Sequence, residues 1–298
     1  MFRKVKVDEK EREHIAAAPS SALKDAWYRL KQNKAATVSL FILIAIILLA
    51  IFAPIFSRYS FKQTDYSSIY QTSSLQHLFG TDQFGRDLWV RTWMGCRISL
   101  LIALAAALLD LLVGVTYGAV SALFGGRVDA IMQRIIEILV GIPHLIIVIL
   151  FLMAFPAGVW TIIAALSITG WVNMARLVRA EILKLKNQDY VLASRVLGTS
   201  NRDIILHDLI PNTVSVIVIN VMFTIPSAIF TEAFLSFIGI GLAEPQASLG
   251  VLINNGYAVL RNYPHVMIYP AIVIILLMVC FSILGDGLRD ALDPQMRK

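Results

Sequence analysis

Apolar residues in this chain fall into runs of membrane length, separated by short polar stretches, with no sustained period-2 alternation. Residues 37–56 carry no charge. At about 20 residues this run can cross a hydrocarbon core as one helix. A second run, 98–124, is interrupted only by Asp110. Residues 138–175 hold no Asp, Glu, Lys or Arg and are too long for one crossing. Phe155-Pro156-Ala157-Gly158 supplies the break. The pattern therefore predicts a third span at 130–155 and a fourth at 159–179, then two more at 213–238 and 266–284. The expected fold class is an all-α integral membrane protein with six transmembrane helices.

Composition supports that class. The chain has 298 residues, 57% hydrophobic and 15% charged, whereas soluble domains carry about a quarter charged residues. A formal charge of +6 could suit nucleic acid. The basic residues sit at the ends of apolar runs instead, where they act as topology signals, so no nucleic-acid partner is expected. With the N-terminus in the cytoplasm, the inside segments and span ends hold 20 of the 26 Lys and Arg and the outside segments hold 6. The expected layout is then a cytoplasmic segment 1–36, a first span 37–56, an extracytoplasmic segment 57–97, a five-helix core 98–288 and a cytoplasmic tail 289–298. The core includes a cytoplasmic loop at 180–212, and the stretch 239–265 lies outside. The first apolar run is longer than a signal h-region and is read as a retained span. Cys96 and Cys280 match no metal spacing, and no repeat of 20–50 residues is visible.

The polar stretch 189–212 separates two spans and carries its own helix signals. Asp189 is a candidate N-cap. Gly198 stands where a left-handed C-terminal residue is wanted. Ser200 with Asp203 resembles a capping box that restarts a helix, and Pro211 lies at its far end. The predicted object is helix, glycine turn, helix, with Tyr190, Val191 and Leu197 offering apolar contacts to a partner. The alternative is a surface helix resting on the headgroups.

With Gly198 thirteen positions before Pro211, this stretch resembles the EAA loop of ABC-importer permeases. Leu192 stands where the general motif has Glu, Ser194 where it has its second Ala, and Asp208 where peptide permeases often have His, with His207 one place earlier. Three further segments resemble the C-type subunit of the oligopeptide, dipeptide and nickel permease family: His77-Leu78-Phe79-Gly80-Thr81-Asp82-Gln83-Phe84-Gly85-Arg86-Asp87, Glu232–Leu242, and Gly285-Asp286-Gly287-Leu288-Arg289-Asp290-Ala291-Leu292-Asp293-Pro294.

The resemblance implies a type I ABC-importer permease fold in a bacterial cell membrane, moving oligopeptides or dipeptides inward, with nickel complexes as the alternative cargo. It implies coupling to an ATPase through Asp189, Tyr190, Val191, Ala193, Ser194, Arg195, Leu197, Gly198, Pro211 and Asn212. Gly80, Asp82, Gly85, Arg86 and Asp87 would face the binding protein. The implied partners are a paralogous permease in a heterodimer, two ATP-binding subunits, an extracytoplasmic peptide-binding protein and membrane lipid. ATP and Mg would sit on the partner subunits, with no cofactor in this chain.

Other residues invite chemistry without completing a motif. Glu232, with Phe234 and Ser236, is a candidate gate or pathway group near the outer end of span five; the alternative is a packing acid. Asp110 is the least expected charge: buried in hydrocarbon, it would need a partner or would be protonated at neutral pH through desolvation, and a bound water or a contact with the partner permease is the plainer reading. Gly114 and Gly118, continued by Ala122 and Gly126, allow close helix packing. Pro143 predicts a kink. Arg134 and Glu137 are spaced for a surface ion pair, and Arg127 and Asp129 are read as a short inside turn. His144, Met132, Met153 and Met174 form no ligand constellation. Phe84, Trp89 and Trp93 suit a membrane interface. The sequence holds no Gly-x-x-x-x-Gly-Lys-Ser/Thr, no His-Glu-x-x-His and no Gly-x-Ser-x-Gly. A stand-alone secondary transporter is the competing class, although the inverted repeats and broken helices expected of one are not apparent.

Overall fold

A computed structural model describes residues 22–292. Most of the expected segment 1–36, and the end of the tail, lie outside the described residues. All the long elements are helices, as an apolar segment in lipid requires for its own N–H and C=O groups. Helix α1 (Ala22–Gln32) precedes the first span and was not anticipated. Asn33 then caps α2 (Lys34–Phe56), its Oδ1 accepting from the Ala36 N–H at 3.1 Å. Pro54 lies inside α2 and has no N–H to offer the Ala50 carbonyl. Arg97 supplies the missing donor, its Nε reaching Ala50 O at 2.9 Å and Nη2 reaching Ile51 O at 2.7 Å.

Helix α3 (Leu88–Phe124) starts ten residues before the expected second span. Asp87 is the reason: its Oδ1 accepts from the Val90 N–H at 2.9 Å and opens the helix there. The expected third span is broken. Helices α4 (Gly126–Val140) and α5 (His144–Ala154) meet at 77°. Pro143 is the N-cap of α5, so the anticipated kink is a full break at Gly141-Ile142-Pro143. Helix α6 (Val159–Leu185) follows the predicted Pro156–Gly158 interruption, and α7 (Asp189–Val196) is the first short helix of the polar stretch. A helical turn at Asn201–Asp203 and a π-helical stretch at Ile204–Leu209 run without a gap into α8 (Ile210–Phe237). The stretch 239–265 contains α9 (Leu249–Ala258), capped by Ser248, and α10 (His265–Leu292) closes the fold. Among the described residues, five helices are long and apolar enough to span a membrane, or six if the bent α4–α5 pair is counted as one span.

Helix α3 lies along α6, and small residues set the distance. A methyl group at Gly114 would sit 2.6 Å from Met174 Cβ, and one at Gly118 would strike the Ala175 carbonyl. The Gly114/Gly118 pair is therefore a packing seam. Helix α10 packs on α2, α8 and α9. One apolar core joins residues of α2, α3, α5, α6, α8, α9 and α10. A second cluster, Val115, Ala119, Met174, Val178, Ile182, Val191, Ile204, Leu209 and neighbours, ties the polar stretch 189–212 to the ends of α3 and α6.

Candidate functional site

Three places collect the residues singled out above. The first is the polar stretch between α6 and α8. Asp189 is not the cap of α7: Gln188 holds that position, with no side-chain bond, and Asp189 sits in the first turn. There its carboxylate complements the positive end of the helix dipole. Gly198 has φ +81°, and its N–H donates to Arg195 O at 3.0 Å, so the chain turns where a residue with a Cβ would be strained. Ser200 Oγ accepts from the Asp203 N–H and donates to Asp203 Oδ2 at 2.6 Å, which starts the next helical turn.

Pro211 does not end that second helix. Pro211 removes an N–H and crowds the preceding turn; the wider π-helical winding at Ile204–Leu209 accommodates it, and the chain continues into α8. Asn212 Nδ2 donates to Asp208 O at 2.6 Å. Val191 is fully buried against α6 and the π-helical stretch, so it anchors α7 and is unavailable to a partner. The exposed apolar tip is instead Val196 and Leu197, at 87% and 85% exposure, with Tyr190 and Leu192 half-exposed. Ala193, Ser194 and Arg195 lie on the same short helix.

The second place is the end of the bundle where the stretches 57–97 and 239–265 meet. Asp82 accepts from the Phe84 and Arg86 N–H groups with Oδ1 and from Arg86 Nε with Oδ2, at 2.9, 3.0 and 2.6 Å. Arg86 extends its other two nitrogens to Glu244, Nη1 to Oε2 at 2.8 Å and Nη2 to Oε1 at 3.0 Å. Arg91, wholly buried, lies 3.3 Å from Asp82 Oδ2 through Nε and donates to Phe61 O at 3.0 Å. Burial disfavours the Glu244 carboxylate, but its bonds with Arg86 and the nearby arginine charges prevail and hold it below the usual carboxylate range. Asp87 is buried and bridges to His77 Nδ1 at 2.8 Å. Side chains at Gly80 and Gly85 would collide with the carbonyls of Gln71 and Asp65. Asp82, Arg86 and Asp87 are thus buried and hold the loops at this end together. Glu244 and Arg91 were missed by sequence reasoning; each is the one charge in its local run, 239–247 and 88–96, and that was the available signal.

The third place is inside the bundle. A cavity of about 450 Å³ is lined by residues of α3, α6, α8 and the α4–α5 break, including Asp110, His144, Asn173, Asn220 and Thr224. His144 Nδ1 lies 2.5 Å from Thr169 Oγ1. Asn220 Nδ2 points to the Met174 sulfur at 3.6 Å. Glu232 is elsewhere, fully buried at the junction of α3, α8 and α9. Its Oε2 accepts from Ser99 Oγ at 2.7 Å, its Oε1 from Ser236 Oγ at 2.8 Å, and Ser99 Oγ in turn accepts from the Leu249 N–H at 3.3 Å. Phe234 is partly exposed and Ser236 buried. Asp129 joins Arg179 on α6 and Ser121 on α3, with Arg179 Nε to Oδ1 at 2.6 Å. Arg134 and Glu137 form the predicted exposed pair at 3.0 Å. No group of three or more His, Cys, Asp or Glu able to hold a metal occurs among the described residues.

Against known proteins, residues 112–298 match the family described as binding-protein-dependent transport system inner membrane component. The chain belongs to that family. Residues 21–72 match a second family, the N-terminal TM domain of oligopeptide transport permease C. The oligopeptide transport system permease protein OppC of Bacillus subtilis is 47% identical over 298 residues, covering all of this chain and 98% of that protein. The dipeptide transport system permease protein DppC of the same organism is 45% identical over 97% of this chain and 91% of its own length. OppC of Escherichia coli is 38% identical over 96% of this chain and 95% of its own.

Among solved structures, a chain from inward-facing conformations of the MetNI methionine ABC transporter aligns with a TM-score of 0.57 at 18% identity, over 69% of this chain and 96% of that one. A chain of an amino acid ABC transporter solved with histidines aligns at 0.51 and 20% identity, over 67% of this chain and 92% of its own. At these identities the likeness concerns the fold, which is the type I permease fold of ABC-transporter membrane subunits. With this family and its five to six apolar spans, the protein is an integral membrane permease component.

Proposed function

We propose that this chain is the C-type permease half of an ATP-driven importer that brings oligopeptides or dipeptides into a bacterial cell. The full-length identity to an oligopeptide permease carries this reading. A paralogous permease completes the pathway. Two ATP-binding subunits hold ATP and Mg, and a binding protein outside the membrane delivers the peptide. The excess of Lys and Arg near 180–212 and at both ends supports cytoplasmic termini and a cytoplasmic α7.

In this scheme α7 is the coupling helix. Its exposed tip at Val196 and Leu197 offers apolar surface to a cleft on an ATPase, while buried Val191 fastens it to α6. The turn at Gly198 fixes the angle between α7 and the helix leading to α8. ATP binding draws the two ATPases together, the motion passes through α7 to α6 and α8, and the pathway opens outward to the loaded binding protein. Hydrolysis resets it inward. The bonds that join Asp82, Arg86 and Glu244 support a firm outer platform for that protein.

The test is reconstitution of this chain and its paralogue in vesicles, with and without the ATPases and binding protein, followed by labelled peptide uptake. Uptake only in the complete, ATP-supplied system is the expected outcome. Uptake driven by an ion gradient in this chain alone would make it a secondary transporter.

A further inference from the structure

We infer that Asp110 is a subsite for a cationic group of the cargo, and that the ammonium at the peptide's amino terminus is the group it receives. The inference rests on the peptide-import reading above and names one residue of its pathway.

Asp110 lies midway along α3, is 6% exposed, and lines the cavity between α3, α6 and α8. Its Oδ1 is buried and has no hydrogen-bond partner. A carboxylate left so in a membrane bundle is costly, and one kept there marks a place where a partner arrives. The surroundings are built for the carboxylate. A methyl group at Gly170 on α6 would lie 2.7 Å from Asp110 Oδ1 and 2.8 Å from Cγ, so the glycine leaves the room that the carboxyl group fills here.

The chemistry of the cavity selects the sign of the occupant. No Lys or Arg lines it, and Asp110 is its one Asp or Glu. The other polar lining groups, His144, Thr169, Asn173, Asn220, Thr224, Ser227 and Thr231, can hydrogen-bond a peptide backbone without demanding a sequence. His144 and Thr169 are already joined to each other. The volume, about 450 Å³, is in the range of small-molecule sites and takes the end of a peptide. An aspartate side chain among neutral donors and acceptors can pair with an ammonium, whereas the lining holds no Lys or Arg to pair with a carboxylate.

The experiment uses the complete importer in vesicles and two peptides of one sequence, one with a free amino terminus and one N-acetylated, each at saturating binding protein. Wild type is compared with Asp110→Asn, a change that keeps the shape of the side chain. The readout is the ratio of ratios, which cancels any preference of the binding protein itself. The expected result is that Asp110→Asn slows the free peptide about tenfold more than the acetylated one, the scale of one charge-assisted hydrogen bond. ATPase stimulation by loaded binding protein should be retained.

A ratio of ratios near one, with both peptides slowed alike or neither slowed, would overturn the subsite and leave peptide import standing. No uptake of either peptide by wild type would instead sink the import reading, and this inference with it. A second measurement needs no variant. A photoreactive group on the first residue of the peptide should label Asn220 or Thr224 during turnover, and the same group on the last residue should not. Equal labelling from both ends would also overturn the subsite.

Discussion

Arg86 and Glu244, 158 residues apart in sequence, meet in a two-point bond that ties the loop before α3 to the loop after α8. Arg86 is almost wholly buried, while Glu244 keeps about a third of its side chain exposed. Removing either partner leaves the other's charge in a polar but crowded pocket. Glu244→Ala should lower the stability of the assembled permease by about 1.5–3 kcal/mol, the scale of hydrogen bonds to charged groups. Thermal unfolding in detergent measures this. An Arg86→Glu, Glu244→Arg exchange that recovered none of the loss would argue against the pair.

The same bond has a sign in pH. Glu244 is held below the usual carboxylate range, so it binds fewer protons folded than unfolded. Its contribution is full above the ordinary carboxylate pKa and is lost as pH falls through the lower folded value. Acid titration of the wild type should therefore loosen the loops that Arg86 and Glu244 join, read by protease cleavage within 57–87. Glu244→Gln should flatten that part of the profile.

Much of the architecture was legible from apolar run length. Residues 37–56 became α2, the Pro156–Gly158 interruption separates α5 from α6, and Gly198 with Ser200 and Asp203 drew the turn correctly. Helix starts governed by one cap were not read: Asp87 opens α3 inside a charged stretch, and Ser248 opens α9 where only an outer loop was expected. Pro211 reads as a helix end because the π-helical winding that absorbs it leaves no periodic trace. The meetings of Arg86 with Glu244 and of Asp110 with Gly170 join distant parts of the chain, and a sequence alone carries no distance between them.

The two faces of α7 should separate fold from partner. Val191→Asp puts an unpaired carboxylate into a fully closed apolar cluster, so it should destabilise the loop by several kcal/mol or prevent assembly. Leu197→Asp, at an exposed tip, should leave the thermal midpoint within about 0.5 kcal/mol of wild type. It should still weaken co-purification with the ATPases. Equal loss of stability in both variants would remove the distinction.

Gly198→Val forces a β-branched residue to φ +81° at a cost of about 1–2 kcal/mol. No neighbouring atom crowds the position, so the effect is on the turn and not on packing. ATP hydrolysis by the complex should continue while peptide uptake falls several-fold. Parallel assays of phosphate release and uptake decide it, and unchanged coupling would refute the role assigned to the turn.

Glu232 offers a sharper contrast. Its two oxygens take the hydroxyls of Ser99 and Ser236 in a closed cluster. Glu232→Ala leaves those hydroxyls unsatisfied and should cost about 1–3 kcal/mol. Glu232→Gln, which keeps one acceptor, should cost less. If uptake fell far more than stability in Glu232→Gln, the residue would have earned its place as a gate.

The unbroken run from Asn201 to Phe237 counts 37 residues. At ~1.5 Å per residue its contour is about 55 Å. Such a shaft magnifies small rotations: moving as one body, a tilt of about 10° at its inner end would sweep the outer end through about 10 Å. That outer end carries Glu232 and Phe237 beside α9, so a modest turn of the π-helical base on one side of the membrane is enough to reshape the opposite side.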